Sequence, residues 1–251
     1  MPQVRRDALV RSKVLKFLAA LLVAPSALLL FAEALKAFFA VATSAGAALY
    51  FSAGLFAYAA VHFYVFRAER LYVLAHELTH AAAALLTGHG VTRIDVGGRS
   101  GSVSTTGSNA FISLAPYCVP FYALCAALLF WLAGLRWNLS PYRGWLVGAI
   151  GFLLSFHYIF TYDSLTSVEQ SDIKHAGGHL FSYVVIVAAN SLVLLLCVRI
   201  LYPDLVSVRA CAVSVCQGTE AFWMWAWARG SAAGAWLWDK AIASAASSPA
   251  K

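Results

Sequence analysis

Long runs without Asp, Glu, Lys or Arg restrict this chain to one class of fold. A helix needs roughly 20 apolar residues to cross a hydrocarbon layer of about 30 Å. The 251 residues are 61% hydrophobic and 12% charged, whereas soluble domains carry about 25% charged residues. We therefore expect an all-α integral membrane protein. Its candidate spans are the charge-free runs at residues 17–31, 37–66, 110–135, 144–162 and 180–198.

The first run is short and contains Pro25, so a tilted or kinked span is expected. It also resembles the hydrophobic region of a signal peptide, because basic residues precede it. No clear cleavage site follows, which favours a retained span over removal of residues 1–34. The preceding basic residues are Arg5, Arg6, Arg11, Lys13 and Lys16.

Basic residues between the runs predict how the chain is threaded through the membrane. Lys and Arg concentrate at cytoplasmic ends of spans, so the net charge of +7 indicates membrane orientation rather than binding to nucleic acid. With a cytoplasmic N-terminus, we expect the connector at 91–109 on the outer side, where Lys36 and Lys174 are exceptions to the rule. The flanking residues predicted to be cytoplasmic are Arg67, Arg70, Arg136, Arg143, Arg199 and Arg209.

Two histidines and a glutamate interrupt an otherwise apolar stretch, LAHELTHAAAALLTG, at residues 74–88. His76 and His80 are four residues apart and lie on one face of a helix, where both imidazoles can bind one Zn²⁺. Glu77 can then act as general base on a water molecule, as in amide hydrolysis. The pattern also occurs by chance in soluble helices. Within a bilayer, however, each ionisable group costs about 2.5–3.5 kcal/mol, so a metal partner is favoured.

Three segments resemble the site-2-protease type of intramembrane zinc metallopeptidase. They are HELTHAAAALLTGHGV at residues 76–91, NAFISLAPYCVP at 109–120, and SFHYIF with VEQSDIKHAGG within 155–178. Together they cover about the middle half of the chain. The resemblance implies a multi-pass protein of a bacterial inner membrane that cuts a membrane-embedded protein substrate, with Zn²⁺ as cofactor.

The chain departs from the family pattern at two points. Thr79 replaces the usual Gly, and the Leu-Asp-Gly motif that supplies the third ligand is absent. Asp172 is the predicted third ligand, because the family uses an aspartate in this later segment and carboxylate oxygen suits zinc. His157 is the alternative, although it can equally be a core histidine bonded to a helix backbone. Asp163 is a weaker candidate near the end of a span.

Asp172 lies ten residues beyond the run at 144–162. It can reach the histidines only if residues 161–178 fold back into the membrane, so we predict a re-entrant segment there. The other histidines are less informative, since His62 lies near a span end and three occupy Gly-containing loops. These three are His89, His175 and His179.

The connector at 91–109 alternates and then breaks at glycines, which predicts two strands and a turn. The resemblance implies a hairpin beside the site, whose edge would hold an unwound substrate as an added strand. A plain polar loop is the alternative. Pro116 and Pro120, in the next run, would bend the helix and free backbone carbonyls.

The C-terminal region holds five of the eight tryptophans, which predicts a helix lying along the membrane interface. A further span broken by Arg229 is the alternative, and residues 243–251 are predicted to be disordered. The five cysteines follow no disulfide or zinc-finger spacing.

The five runs and the HELTH helix predict a bundle of about six spans with a short hairpin-like connector. Three regions are expected: N-terminal spans at 1–66, a metallopeptidase-like core at 67–202, and an aromatic interfacial helix with its tail at 203–251. The expected function is a zinc endopeptidase, with His76, His80 and Asp172 as ligands and Glu77 as base. A non-catalytic zinc-binding scaffold or a transporter is the alternative.

Overall fold

The computed structural model describes residues 3–43, 48–98, 100–167, 171–202 and 204–246. These residues form mostly helices and one strand pair. The helices are α1 (Gln3–Ala42), α2 (Ala48–Tyr64), α3 (Glu69–Leu86), α4 (Ala110–Cys118), α5 (Phe121–Gly134), α6 (Arg143–Ser167), α7 (Ser171–Ala176), α8 (His179–Leu201) and α9 (Val208–Ala246). Strands β1 (Val91–Val96) and β2 (Gly101–Thr105) pair antiparallel, with Ile94 opposite Val103.

By their length and composition, the described helices could provide three to five membrane crossings. α1, α6 and α8 are each long and apolar enough to cross alone. Two more crossings are complete only if bent helix pairs count as single spans. α2 and α3 bend by 120°, and α4 and α5 bend by 72°. The chain is therefore a multi-pass helical membrane protein, but the prediction of about six spans is not confirmed.

α1 is continuous through the boundary between the first two predicted spans. The Lys36 ammonium pairs with Glu33 at 2.7 Å, and the Ser214 hydroxyl of α9 donates to the same carboxylate at 2.8 Å. These contacts accommodate two charged residues inside one long helix. The predicted span at 37–66 is thus divided, since residues 37–42 complete α1 and α2 begins at Ala48.

Glycines let α2 and α6 pack backbone to backbone. A Cβ atom on Gly54 would overlap the Gly148 carbonyl oxygen, and one on Gly151 would overlap the Phe51 carbonyl oxygen. Small residues allow such close approach between membrane helices. Further along the pair, the ring of His62 meets that of Phe160 at 5.1 Å. Contacts advance in the same direction on both helices, so α2 and α6 are parallel.

α1 and α8 are also parallel. The Lys16 ammonium donates to the Ala176 carbonyl just before α8, at 2.7 Å. Ala34 and Val41 of α1 share a buried cluster with Leu195 and Val198 of α8. α2, α5 and α6 contribute to the same cluster, so the N-terminal helices pack directly on the later ones. The predicted boundary at residue 66 stays a prediction.

The helix directions contradict the predicted threading. We call the end where α2 and α6 terminate and α8 begins the α7 end. Arg67 lies there, with Nη1 3.8 Å from Asp163, whereas Arg143 begins α6 at the opposite end. The two were predicted to share the cytoplasmic side. The reason is that α3 turns back from α2 by 120° instead of crossing the membrane. Every later helix therefore runs in the direction opposite to the predicted one.

α9 runs antiparallel to α1. Ser214 bonds to Glu33, and the Thr219 and Ser26 hydroxyls lie 3.0 Å apart. Beyond these contacts, Trp225, Trp227, Trp236 and Trp238 are exposed. α9 is not among the helices that qualify as spans, and its placement in the interface stays a prediction. Helix continues through Ala246, contrary to the disorder predicted from residue 243, while residues 247–251 lie outside the described part.

Candidate metal centre

α3 presents both histidines of the HExxH motif to one point. The Nε2 atoms of His76 and His80 lie 3.2 Å apart, and their rings meet edge to face with centroids 4.8 Å apart. This follows from the spacing of four residues in a continuous helix. Thr79, which stands where the family has Gly, donates its hydroxyl to the Ala75 carbonyl at 2.7 Å. Its polar group is thereby satisfied inside the helix.

Asp172 meets the two histidines from a distant part of the chain. Its Oδ2 lies 3.5 Å from Nε2 of His76 and 3.4 Å from Nε2 of His80. The aspartate is on α7, between the end of α6 and the start of α8. Segment 161–178, where a re-entrant fold was predicted, thus brings a carboxylate to the histidines at the α7 end.

The orientation of His80 is set by a proline in α4. Pro116 has no N–H to donate to the Ile112 carbonyl, four residues earlier. His80 Nδ1–H donates to that carbonyl at 2.8 Å. Because a neutral imidazole then carries its lone pair on Nε2, the lone pair of His80 points towards His76 and Asp172. Metal-binding histidines commonly have such a partner on the other ring nitrogen.

The donor set fits a divalent metal ion. One ligand atom each from His76, His80 and Asp172 lie within 4.8 Å of one another. Burial alone would raise the pKa of Asp172, but hydrogen bonds and charges from His76 and His80 outweigh it and hold this pKa well below its usual range. Two imidazole nitrogens and an ionised carboxylate facing one point match the ligands of a catalytic zinc site.

Glu77 lies beside this donor set, beneath the hairpin. Its side chain is buried, with 6% exposure. A Cβ atom on Gly101 would lie 2.6 Å from Cγ of Glu77 and 2.7 Å from Cγ1 of Val73. Only glycine therefore allows β2 to approach α3 this closely. The hairpin covers the glutamate without a side chain of its own at the contact.

A polar cavity of about 410 Å³ joins these elements. Hydroxyl side chains form much of its wall, which indicates a space that water can enter. Because the hairpin shares the cavity with Ser164, near the end of α6, it lies at the α7 end with Arg67, contrary to the predicted threading. The lining includes His76, Glu77, His80, Asp172, Gly101, Ser102, Thr105, Ser113, Ser164 and Ser171.

The alternative third ligands lie elsewhere. His157 Nε2–H donates to Oδ1 of Asn190 on α8 at 3.1 Å, which matches a bonded core histidine. Asp163 lies 3.3 Å from Nε2 of His62 and also approaches Arg67. His62 itself is 2% exposed, so this span-end histidine is buried. Neither His157 nor Asp163 belongs to the group around His76 and His80.

Sequence reasoning missed Tyr117 and Asn190. The Tyr117 hydroxyl donates to Oδ2 of Asp172 at 3.3 Å, and its ring meets that of His76 at 5.1 Å. Asn190 donates to the Tyr117 carbonyl at 2.8 Å. Asn190 had a readable signal, since a lone amide within the apolar run at 180–198 requires a partner. Tyr117 had a weaker signal in the sequence, the nearby prolines Pro116 and Pro120. His175 and His179 are exposed.

The donor set, the nearby glutamate and the polar cavity are thus assembled from α3, α4, α6, α7 and the hairpin. Comparisons with protein-family models, curated proteins and solved structures gave no match. The resemblance to site-2-protease-type metallopeptidases therefore rests on the motifs of this chain alone.

Proposed function

We propose that this chain is a zinc-dependent endopeptidase that hydrolyses a peptide bond of a membrane-embedded protein. One observation carries the proposal: Nε2 of His76, Nε2 of His80 and Oδ2 of Asp172 converge on one wall of a polar cavity that also contains Glu77. The HExxH spacing accounts for the two histidines alone. A carboxylate from about ninety residues further along completes the ligand set that hydrolytic zinc sites use.

His76, His80 and Asp172 would hold the ion. When bound, zinc supplies a Lewis acid that polarises the scissile carbonyl and lowers the pKa of water. Glu77 accepts a proton from the attacking water molecule while the water oxygen bonds to the carbonyl carbon. It then delivers that proton to the amide nitrogen as the C–N bond breaks. The buried position of Glu77 beside the cavity suits both transfers.

The substrate must reach the site in an extended form, because helical amides have their carbonyls already hydrogen-bonded. Ser102, Val103 and Thr105 of β2 line the cavity. Within the described residues, β2 has one strand partner, β1, so an unwound segment would join at the other edge of β2 as a further strand. The hydroxyl groups of the wall admit the water that hydrolysis consumes.

A zinc-binding scaffold or a transporter without hydrolysis is the competing function. Neither requires a general base beside the metal. Glu77 lies near the middle of α3, where a buried carboxylate without a catalytic role would be costly. Its position on the cavity wall favours hydrolysis.

The test combines metal analysis with cleavage of labelled transmembrane peptides by the purified full chain. We expect about one zinc per chain and cleavage that Glu77→Gln reduces by about 100-fold or more, with zinc retained. Glu69→Gln is the matched control, because Glu69 lies on the same helix outside the cavity lining. Absence of zinc from folded protein would contradict the proposal, and so would full cleavage by Glu77→Gln. Bound zinc without any cleavage by the unaltered chain would favour the scaffold.

A further inference from the structure

Asp172 has little support from its own element. α7 has only six residues, and two glycines with positive φ, Gly177 at 151° and Gly178 at 96°, follow it. A ligand carboxylate must nevertheless stay in place to bind a metal tightly. The support must come from elements packed against α7.

α4 is the neighbour that supplies this support, through Tyr117. Tyr117 is completely buried and shares an apolar cluster with Ile173 and Ala176 of α7. From the same ring, its hydroxyl donates to Oδ2 of Asp172 at 3.3 Å. The ring also lies edge-on to His76. One side chain thus packs with apolar residues of α7 and contacts both the carboxylate and one of the histidines.

Tyr117 is held at its backbone as well. α4 ends at Cys118, and the Phe121 N–H bonds to the Val119 carbonyl, so the Tyr117 carbonyl is left for another donor. Asn190 Nδ2 donates to it at 2.8 Å. Oδ1 of Asn190 accepts from His157 at 3.1 Å. α4, α6 and α8 are therefore joined at the residue that contacts Asp172.

We propose that Tyr117, anchored by Asn190, is the positioning residue for the third metal ligand: its hydroxyl holds the Asp172 carboxylate against His76 and His80. This rests on the proposed function only in taking these three residues as zinc ligands. It also assigns His157 a role, because its hydrogen bond helps to hold the Asn190 amide in place. Partners of this kind orient ligands, and their loss lowers metal affinity about 10–100-fold.

The test measures zinc affinity of the full-length protein in detergent, by competition with a chromophoric chelator. Tyr117→Phe removes the hydroxyl and keeps the ring, and we expect affinity to fall about 10-fold or more. Tyr122→Phe is the matched control, because that hydroxyl donates to the Leu71 carbonyl and contacts no ligand. Its zinc affinity should stay within about twofold of the unaltered chain, since it removes no partner of a ligand.

Two further measurements separate positioning from a merely structural role. The visible spectrum of Co²⁺-loaded protein should change in Tyr117→Phe, while the melting temperature of the metal-free protein stays the same. Asn190→Ala keeps both the tyrosine and the carboxylate, and should weaken zinc binding in the same direction. Unchanged affinity and spectrum in Tyr117→Phe would overturn the inference alone. Absence of zinc from the unaltered chain would overturn the proposed function and this inference together.

Discussion

Individual side chains near the site differ in how their polar atoms are satisfied. His157 has a neutral amide partner in Asn190, and Asp163 has His62 and Arg67. Asp172 faces two imidazole nitrogens instead. A carboxylate and two imidazole nitrogens that face one point form a group that could hold a metal ion.

This contrast separates the two candidate third ligands. Asp172→Ala should lower zinc affinity by about 10-fold or more, since loss of a direct ligand costs at least as much as loss of its hydrogen-bond partner. His157→Ala should cost less, because His157 acts only through Asn190 and Tyr117. Chelator competition on both purified variants measures this difference. A His157 variant that loses zinc while the Asp172 variant keeps it would reverse the assignment.

At the scale of elements, the hairpin and α3 depend on one glycine for their contact. Gly101 lies against Glu77 and Val73 with no room for a Cβ atom. Both strands belong to a two-stranded sheet, which is marginal alone, so packing on α3 contributes to its position. This packing therefore fixes the distance between the hairpin and Glu77.

Gly101→Ala should disturb Glu77 without removing a metal ligand. We expect zinc content to stay at the level of the unaltered chain and cleavage to fall up to about 100-fold, the cost of a displacement near 1 Å in a catalytic group. Gly98→Ala is the control within the same hairpin, since a Cβ atom there meets nothing within 4 Å. Equal cleavage by the two variants would show that the hairpin contact does not position the base.

At the scale of the whole molecule, the parallel packing of α2 on α6 determines which connectors share an end. The α7 end carries the N-terminal basic cluster, Arg67 and Arg70, together with the hairpin and Asp172. Arg136, Arg143 and Arg199 lie at the other end. The α7 end has more basic residues, so from the preference of Lys and Arg for the cytoplasm we predict that the cavity lies on the cytoplasmic side.

Single cysteines test this orientation in a variant whose five native cysteines are replaced. A cysteine at Ser102, in the exposed part of β2, should react with a membrane-impermeant maleimide only from the cytoplasmic side. A cysteine at Asn138, between α5 and α6, should react only from the opposite side. Labelling of intact cells and of inverted vesicles distinguishes the two. Reaction of both positions from one side would contradict parallel crossings of α2 and α6.

Local pattern alone determined the membrane class, the largely helical fold and the facing pair His76 and His80. Each of these depends on residues within a few turns of one helix, where spacing dictates geometry. The sequence also pointed to Asp172 and to the prolines of α4, although the use of the freed Ile112 carbonyl by His80 could not be foreseen.

Tertiary structure decided the rest. The bend between α2 and α3, the direction of α6, the burial of His62 and the support of Asp172 by Tyr117 all involve residues far apart in the chain. A hydropathy pattern does not distinguish one apolar run from another. Because basic residues occur at both ends of the helix bundle, they permit more than one threading through the membrane. Glycine contacts, freed carbonyls and side-chain bonds between helices select one arrangement, because a buried polar group must find its partner in three dimensions.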